Sequence, residues 1–286
     1  MDWSDIVLWL LIAAVAAIML LYLRLVRKNR RLRQLADEAN RLRRKAADEQ
    51  QRNRQLKQEM TSNIAHELKT PVASILGYTD TILDNPDIAA ETKQQFIQRT
   101  NAQARRLTAL LQDISTLNRM DYAPDMLAME RIDISRIMAD IAEETALVVG
   151  TKQMRLNNCL PEDVCVQGNW SLVYSIFRNL MDNAINYAGN GASIEISAED
   201  QGFHWAFTFR DNGVGVPAEH LPRIFERFYR VDKGRSRQMG GTGLGLAIVK
   251  NAVLLHGGQI SAKKADGGGL QFDFTLRKQY VCPTCQ

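Results

Sequence analysis

Residues 6–23 form a run without a single charged side chain, and at helical rise the run reaches roughly 27 Å against a bilayer core of about 30 Å. The pattern predicts one transmembrane helix. Trp3, Trp9 and Tyr22 lie near its ends, and Arg24, Arg27, Lys28, Arg30 and Arg31 crowd the flank that follows, which places everything after residue 24 in the cytoplasm. A cleaved signal sequence has a basic start and a short apolar stretch, whereas here Asp2 and Asp5 precede a long one. The expectation is a single-pass protein of the cytoplasmic membrane, with residues 1–5 outside, the span at 6–23, and no external ligand-binding domain.

Beyond the span, apolar or small residues recur at Leu32, Leu35, Ala39, Leu42 and Ala46, then at Leu56 and Met60, in steps of three and four interrupted by Glu49 and Asn53. This 3.5-residue period predicts a parallel two-stranded coiled coil over residues 24–59. The seam continues through Ile64, Leu68, Val72, Ile75 and Ile82 until Asn85-Pro86-Asp87 breaks the helix. A second amphipathic helix follows, with Phe96, Ile97, Thr100, Ala104, Leu107, Leu111, Ile114 and Leu117 as its predicted inner face. Two such hairpins, one per chain over residues 60–122, would bury both stripes as a four-helix bundle, making the protein a homodimer.

From about residue 129 the texture changes. A strand-like run at 129–134 precedes a helix at 135–149, strands surround Leu156 and Val164, and a long helix covers 172–188. Alternating strands at 193–198 and 205–210, a Gly-rich segment, a helix at 244–256 and strands at 259–263 and 270–276 complete the pattern. The fold class is therefore α+β: a membrane helix, a helical hairpin, and an α/β sandwich over 123–278 with a tail at 279–286.

The net charge of +4, from 36 basic and 32 acidic residues, is unevenly spread. Residues 24–57 hold thirteen Lys or Arg against four acids, so the remainder is mildly acidic and direct nucleic-acid binding is not expected. Four cysteines in a reducing compartment read as free thiols, and the single terminal pair Cys282 and Cys285 is weak grounds for zinc.

Candidate chemistry lies in ordered segments. In His66-Glu67-Leu68-Lys69-Thr70-Pro71, the imidazole is turned from the apolar seam; an exposed imidazole is mostly neutral at pH 7 and offers a nucleophilic nitrogen. Glu67 can accept the proton of the other ring nitrogen, Thr70 stands one turn on, and Pro71 deprives the Glu67 carbonyl of its helical donor so that the helix can bend. Asn179, Asn183 and Tyr187 share one helix face at spacings of four. Two amide oxygens there suit a hydrated Mg2+ on nucleotide phosphates, and the aromatic can cover a base. In Asp211-Asn212-Gly213-Val214-Gly215 the acid can take a hydrogen bond from an exocyclic amino group while the glycines admit a ring. Gly240-Gly241-Thr242-Gly243-Leu244-Gly245 opens a helix whose free N–H groups can meet phosphates. Residues 229–239, with Arg230, Lys233, Arg235 and Arg237, read as a mobile cationic lid. The glycine run is neither a Walker loop nor a clean dinucleotide fingerprint.

The ordered set resembles the sensor histidine kinases of bacterial two-component systems, with a phosphate-regulon flavour. The segment 66–71 is similar to the phosphoacceptor box, 179–187 to the N box, 211–215 to the G1 box, Arg223-Ile224-Phe225-Glu226-Arg227-Phe228 to the F box and 241–246 to the G2 box. The resemblance implies a dimeric phosphotransfer hairpin, a Bergerat-type ATP-binding sandwich, Mg-ATP as donor, and an aspartate of a cognate response regulator as acceptor. The predicted span at residues 6–23 leaves a membrane sensor protein as a candidate partner. The resemblance makes His66 the phosphorylated residue, Asn183 the magnesium ligand with Asn179 assisting, Tyr187 the adenine stack, Asp211 the adenine acceptor, and Arg230 a phosphate contact. Glu67 and Thr70 match the motif that positions water in a phosphatase mode. Asn186 stands where the family often has Lys, which would weaken one phosphate contact; Ala65 and Met60 replace a frequent Ser and Phe without touching the chemistry.

Two rivals are weaker. The chaperone and topoisomerase ATPases of similar fold use a Glu where this chain has Asn179, and an amide cannot accept the proton of an attacking water. A scaffold with vestigial boxes would not need His66, Asn183, Asp211 and Gly243 intact.

Overall fold

The computed structural model describes residues 3–122, 127–231 and 241–278, with the side chains before residue 58 described only in part. Two compact units divide the chain, Met1–Ile64 and Ala65–Gln286. The first consists of helix alone, the N-terminal portion of α1 (Trp3–Asp84). Of the predicted membrane run, Val15 and residues 18–23 have described side chains and all are exposed; the other positions of residues 6–23 lie outside the described side chains. Among the described residues no helix is long and apolar enough to cross a membrane. The coiled-coil seam positions Leu32, Leu35, Ala39, Leu42, Ala46 and Leu56 likewise fall outside them.

In the second unit, α1 runs through Pro71 and stops at Asp84, just before the predicted Asn85-Pro86 break, where the Asn85 amide donates to the Thr81 carbonyl at 2.8 Å. The chain returns as α2 (Ala90–Tyr122). Tyr78 and Phe96 stack across this hairpin with centroids 5.4 Å apart. The predicted inner face of α2, which a bundle of two chains would bury, stays partly open within one chain. Leu117 is buried as predicted, but its companions are Leu110 and Met120, while Ile97 and Leu111 remain 47% and 52% exposed. α2 packs on the last helix of the sandwich, Leu110, Leu117 and Met120 belong to the shared core, and the 97/104/111 stripe faces outward.

The sandwich follows as β1 (Glu130–Asp133), α3 (Ile134–Thr151), β2 (Arg155–Cys159), β3 (Cys165–Gly168), α4 (Trp170–Tyr187), β4 (Ser193–Asp200), β5 (His204–Asp211), α5 (Gly245–Leu255), β6 (Ile260–Lys264) and β7 (Leu270–Arg277). A short 3-10 turn, Ala218–Arg223, precedes the F-box-like segment. Capping fixes the helix starts: the Asp133 carboxylate takes the Ser135 N–H at 2.8 Å, and the Asn169 side chain takes the Leu172 N–H at 3.2 Å. Strands pair in the order β2-β4-β5-β7-β6, antiparallel except for β2 with β4, beside a separate β1-β3 ribbon.

Strict alternation in β4, β5 and β7 turns one face of the sheet inward, where it meets the apolar faces of the helices. The centre is aromatic. Phe177 of α4 stands edge-on to Phe207 and Phe274, at 5.5 and 5.7 Å, and those two stack at 5.1 Å. This two-layer core holds α4 and α5 side by side above the sheet, and the nucleotide-box residues lie on those helices and the loops beside them.

Candidate functional site

His66 sits on α1 with its side chain 64% exposed, as its position off the apolar seam predicts. Its Nδ1 is 3.7 Å from Glu67 Oε1, beyond hydrogen-bond length but within reach of a small rotation. The Glu67 carboxylate is engaged on its other oxygen: Oε2 accepts from Arg106 Nη2 and from Arg230 Nη2, each at 3.2 Å. Thr70 stands one turn on from His66 along α1. Its hydroxyl donates back to the His66 carbonyl at 3.3 Å, which leaves its oxygen lone pairs, not its proton, for any other contact. Pro71 is buried within a helix that continues past it.

On α4, Asn179 and Asn183 are half-buried one turn apart, and Asn179 Nδ2 donates to the Ser175 carbonyl at 2.7 Å, leaving Oδ1 as the group presented. Tyr187, a turn further, is 41% exposed; desolvation pushes its phenol up, and the nearby Arg230 charge opposes that. Asp211 at the end of β5 is buried, and its Oδ1 accepts the Gly213 N–H at 2.8 Å. Burial raises its carboxyl above the usual range although the Gly213 and Leu270 N–H groups favour the charged form. Gly213 is required by packing, because a Cβ there would lie 2.3 Å from the Ala188 Cα just beyond α4. Gly215 has φ 71°. The N-box-like helix and the G1-like turn are thus locked together by backbone contact.

The F-box-like and G2-like segments join in the same way. Phe228, at φ 63°, donates its N–H to the Gly243 carbonyl at 2.8 Å, and a non-glycine residue in that left-handed region is strained. Arg230, only 6% exposed, reaches Glu67 and also donates to the Gly241 carbonyl at 2.6 Å. The Thr242 hydroxyl donates to Asp113 Oδ2 at 2.7 Å and accepts the Leu244 N–H at 3.2 Å. Leu244 is buried as the anchor of α5, and Gly245 stands against the Asn179 amide. Gly240, Lys233, Arg235 and Arg237, and with them the lid expected at 229–239, lie outside the described residues apart from Tyr229, Arg230 and Val231; so do Cys282 and Cys285. Among the described residues no group of three or more His, Cys, Asp or Glu is placed to hold a metal ion.

Sequence reasoning missed the hairpin acids that meet these segments. Asp113 takes Thr242, and its carboxyl is pushed up by burial, partly offset by the Thr242 hydrogen bond and reinforced by Asp182. Asp121 takes Arg227 Nη2 on both oxygens at 2.9 Å. A signal was present: Arg106, Leu110, Asp113, Leu117 and Asp121 recur in steps of four and three along α2, polar and apolar residues sharing one helical stripe. Arg230, the guanidinium expected at phosphates, is here paired with the carboxylate beside His66.

An exposed histidine thus stands beside an acid that is ion-paired to Arg230 of the sandwich, which also carries an amide pair and a buried aspartate. Residues 56–123 match the profile of the His Kinase A (phospho-acceptor) domain, and residues 168–280 that of the histidine kinase-, DNA gyrase B-, and HSP90-like ATPase. The chain belongs to the sensor histidine kinases of two-component systems.

Among its relatives, the sensor-like histidine kinase SenX3 of Mycolicibacterium smegmatis is 31% identical over 77% of this chain and 57% of its own length. The phosphate regulon sensor protein PhoR of Pseudomonas aeruginosa is 33% identical over 76% of this chain and 49% of its own. The chain thus spans about half the length of these curated relatives. Among solved structures, histidine kinase ThkA in complex with response regulator protein TrrA has the same fold, with a TM-score of 0.63 at 22% identity over 77% of this chain and 61% of that one.

Proposed function

We propose that this chain is a protein-histidine kinase that phosphorylates its own His66 from Mg-ATP and passes the phosphoryl group to an aspartate of a cognate response regulator. The observation that carries the reading is the Glu67 carboxylate, whose oxygens lie between the imidazole of His66 and the guanidinium of Arg230. It links the phosphoacceptor helix to the nucleotide boxes. The response regulator named in the ThkA complex supports the partner class.

The residues fit a nucleotide. Asp211 presents a buried acceptor for the adenine amino group, Gly213 and Gly215 keep the turn thin, and Tyr187 offers an exposed ring one turn beyond the amides. Asn183, with the Asn179 Oδ1 beside it, would hold Mg2+, which supplies charge neutralisation at the phosphates. Gly241, Thr242, Gly243, Leu244 and Gly245 bring the start of α5 to the phosphate chain. With Nδ1 turned to Glu67, Nε2 of His66 is the nitrogen left to attack. It forms the N–P bond in line as the bond from the γ-phosphorus to the bridging oxygen breaks, ADP leaves, and Glu67 takes the Nδ1 proton. Arg230 must exchange Glu67 for phosphate oxygens to offset developing charge. The Thr70 oxygen, with Glu67, would orient water for a phosphatase mode.

The exposed 97/104/111 stripe of α2, together with Val72, Leu76 and Leu83 of α1, supports a homodimer through a four-helix bundle. The uncharged run at 6–23, its basic flank and the exposed apolar side chains at 18–23 support a single-pass anchor in the cytoplasmic membrane and, with it, a membrane sensor partner. On this reading the domains are 6–23, 24–59, 60–122 and 123–278.

Incubation with γ-labelled ATP and magnesium tests the proposal. Label that is acid-labile, base-stable and lost in His66→Gln is expected; label persisting in that variant would refute the assignment.

A further inference from the structure

No motif marks Arg106, yet it shares the central carboxylate of the site. Its Nη2 and that of Arg230 both lie 3.2 Å from the same oxygen, Glu67 Oε2. All three side chains are largely withdrawn from water, at 12% exposure for Arg106, 6% for Arg230 and 13% for Glu67. The two guanidiniums differ in where they come from. Glu67 and Arg106 both belong to the hairpin, on α1 and α2, so their pair requires nothing from the sandwich. Arg230 comes from the nucleotide-binding part and is held at its other side by the Gly241 carbonyl.

We infer that Arg106 is a positioning residue for transfer to His66: it keeps the Glu67 carboxylate turned with Oε1 toward the imidazole, and by competing for Oε2 it makes Arg230 available to the nucleotide. The inference rests on the reading that Glu67 takes the imidazole proton and that Arg230 meets phosphates. Its physical basis is the cost of leaving a poorly hydrated carboxylate short of positive charge. If Arg230 turns to a phosphate, Arg106 still pairs with Glu67, and the carboxylate stays oriented. With a neutral residue at 106, Glu67 would hold Arg230 more tightly, and each nucleotide would have to break that pair to bind.

The two consequences separate kinetically. Loss of orientation lowers kcat; tighter retention of Arg230 raises the KM for ATP. The full chain, reconstituted in lipid, is assayed for initial rates of His66 labelling over a range of Mg-ATP concentrations. A charge-assisted hydrogen bond of ordinary strength corresponds to roughly tenfold, so Arg106→Gln should raise KM and lower kcat by about that factor each. Arg106→Lys, which keeps the charge, should recover much of both. In a Glu67→Gln background the KM effect should vanish, because there is no carboxylate left to retain Arg230.

A merely structural role would lower the fraction of active protein, leave KM alone, and act equally in both backgrounds. Wild-type KM in Arg106→Gln, or an unchanged KM effect in the double variant, overturns the inference. Should Arg106→Gln fail to fold by circular dichroism, Arg106→Lys is read the same way: a smaller KM rise that is present with Glu67 and absent in the Glu67→Gln background supports the inference, and a wild-type KM overturns it. If the wild-type chain takes no label at all, the proposed function fails. The affinity of the variants for a non-hydrolysable ATP analogue then still reports the competition for Arg230.

Discussion

Gly245 is the position where a single methyl group separates folding from function. It opens α5 directly against the N-box-like helix, and a Cβ built on it would lie 2.6 Å from Asn179 Oδ1. Ordinary contact begins at 3.4 Å, so the amide must retreat by about 0.8 Å in Gly245→Ala. The Asn179 side chain is tethered by its 2.7 Å bond to the Ser175 carbonyl, and that bond must lengthen or break, at a cost of about 1 kcal/mol. Against this, alanine is favoured over glycine in a helix by up to about 1 kcal/mol. The two nearly cancel, so the melting temperature should move by only a few degrees. A ligand contact from Oδ1 does not survive such a displacement, because a shift of about 0.8 Å takes a good polar contact past its useful length. Affinity for Mg-ATP should fall by roughly tenfold, equivalent to about 1.4 kcal/mol. Calorimetric titration with a non-hydrolysable analogue reads the affinity, and scanning fluorimetry of the same sample reads the stability. Unchanged affinity with the fold intact would refute the placement of Asn179 at the nucleotide.

Two further predictions concern buried titratable groups. Because burial raises the Asp211 carboxyl, its contribution to stability is full below the unfolded carboxylate value and is lost as pH rises through the raised one, so the charged group costs the fold at pH 7. Asp211→Asn should therefore melt higher than wild type at neutral pH, lose that advantage near pH 3, and bind adenine nucleotides more weakly because an amide N–H can oppose the base amino group; thermal scans across pH with nucleotide titration check all three. His256 is buried, accepts the Asn169 N–H on Nε2 at 3.0 Å and has Nδ1 2.6 Å from the Ala252 carbonyl, and desolvation lowers its pKa. The unfolded imidazole gains its proton near pH 6.5 while the folded one resists, so stability should decline as pH falls below about 6.5, and the decline should be shallower in His256→Gln by urea unfolding at a series of pH values.

Hydrophobic period made the framework readable because local pattern and tertiary burial agree there. The alternation in β5 and β7 and the 3.6-residue stripe on α4 each describe a face that is buried. On α2 two stripes compete, and the pattern alone cannot say which meets the sandwich; the structure buries Leu110, Leu117 and Met120, leaving Ile97 and Leu111 exposed. The site divides in the same way. His66, Asn179, Asn183, Tyr187 and Asp211 were legible because their chemistry sits in short ordered motifs. Arg106, Asp113 and Asp121 were not, because each acts across the fold on a partner tens of residues away or more. Thr70 and Arg230 were found, but their present partners depend on rotamer and docking, which sequence spacing does not encode.

The central claim is that the phosphoryl group of ATP goes to His66 and not to water. Peptide mapping by mass spectrometry at alkaline pH, after reaction of the wild-type chain with Mg-ATP, tests it most directly. The account predicts one added phosphoryl group on the peptide that carries His66, located on that side chain by fragmentation. Phosphate released to solvent with no peptide modified, or a phosphoryl group located on another residue, would contradict it.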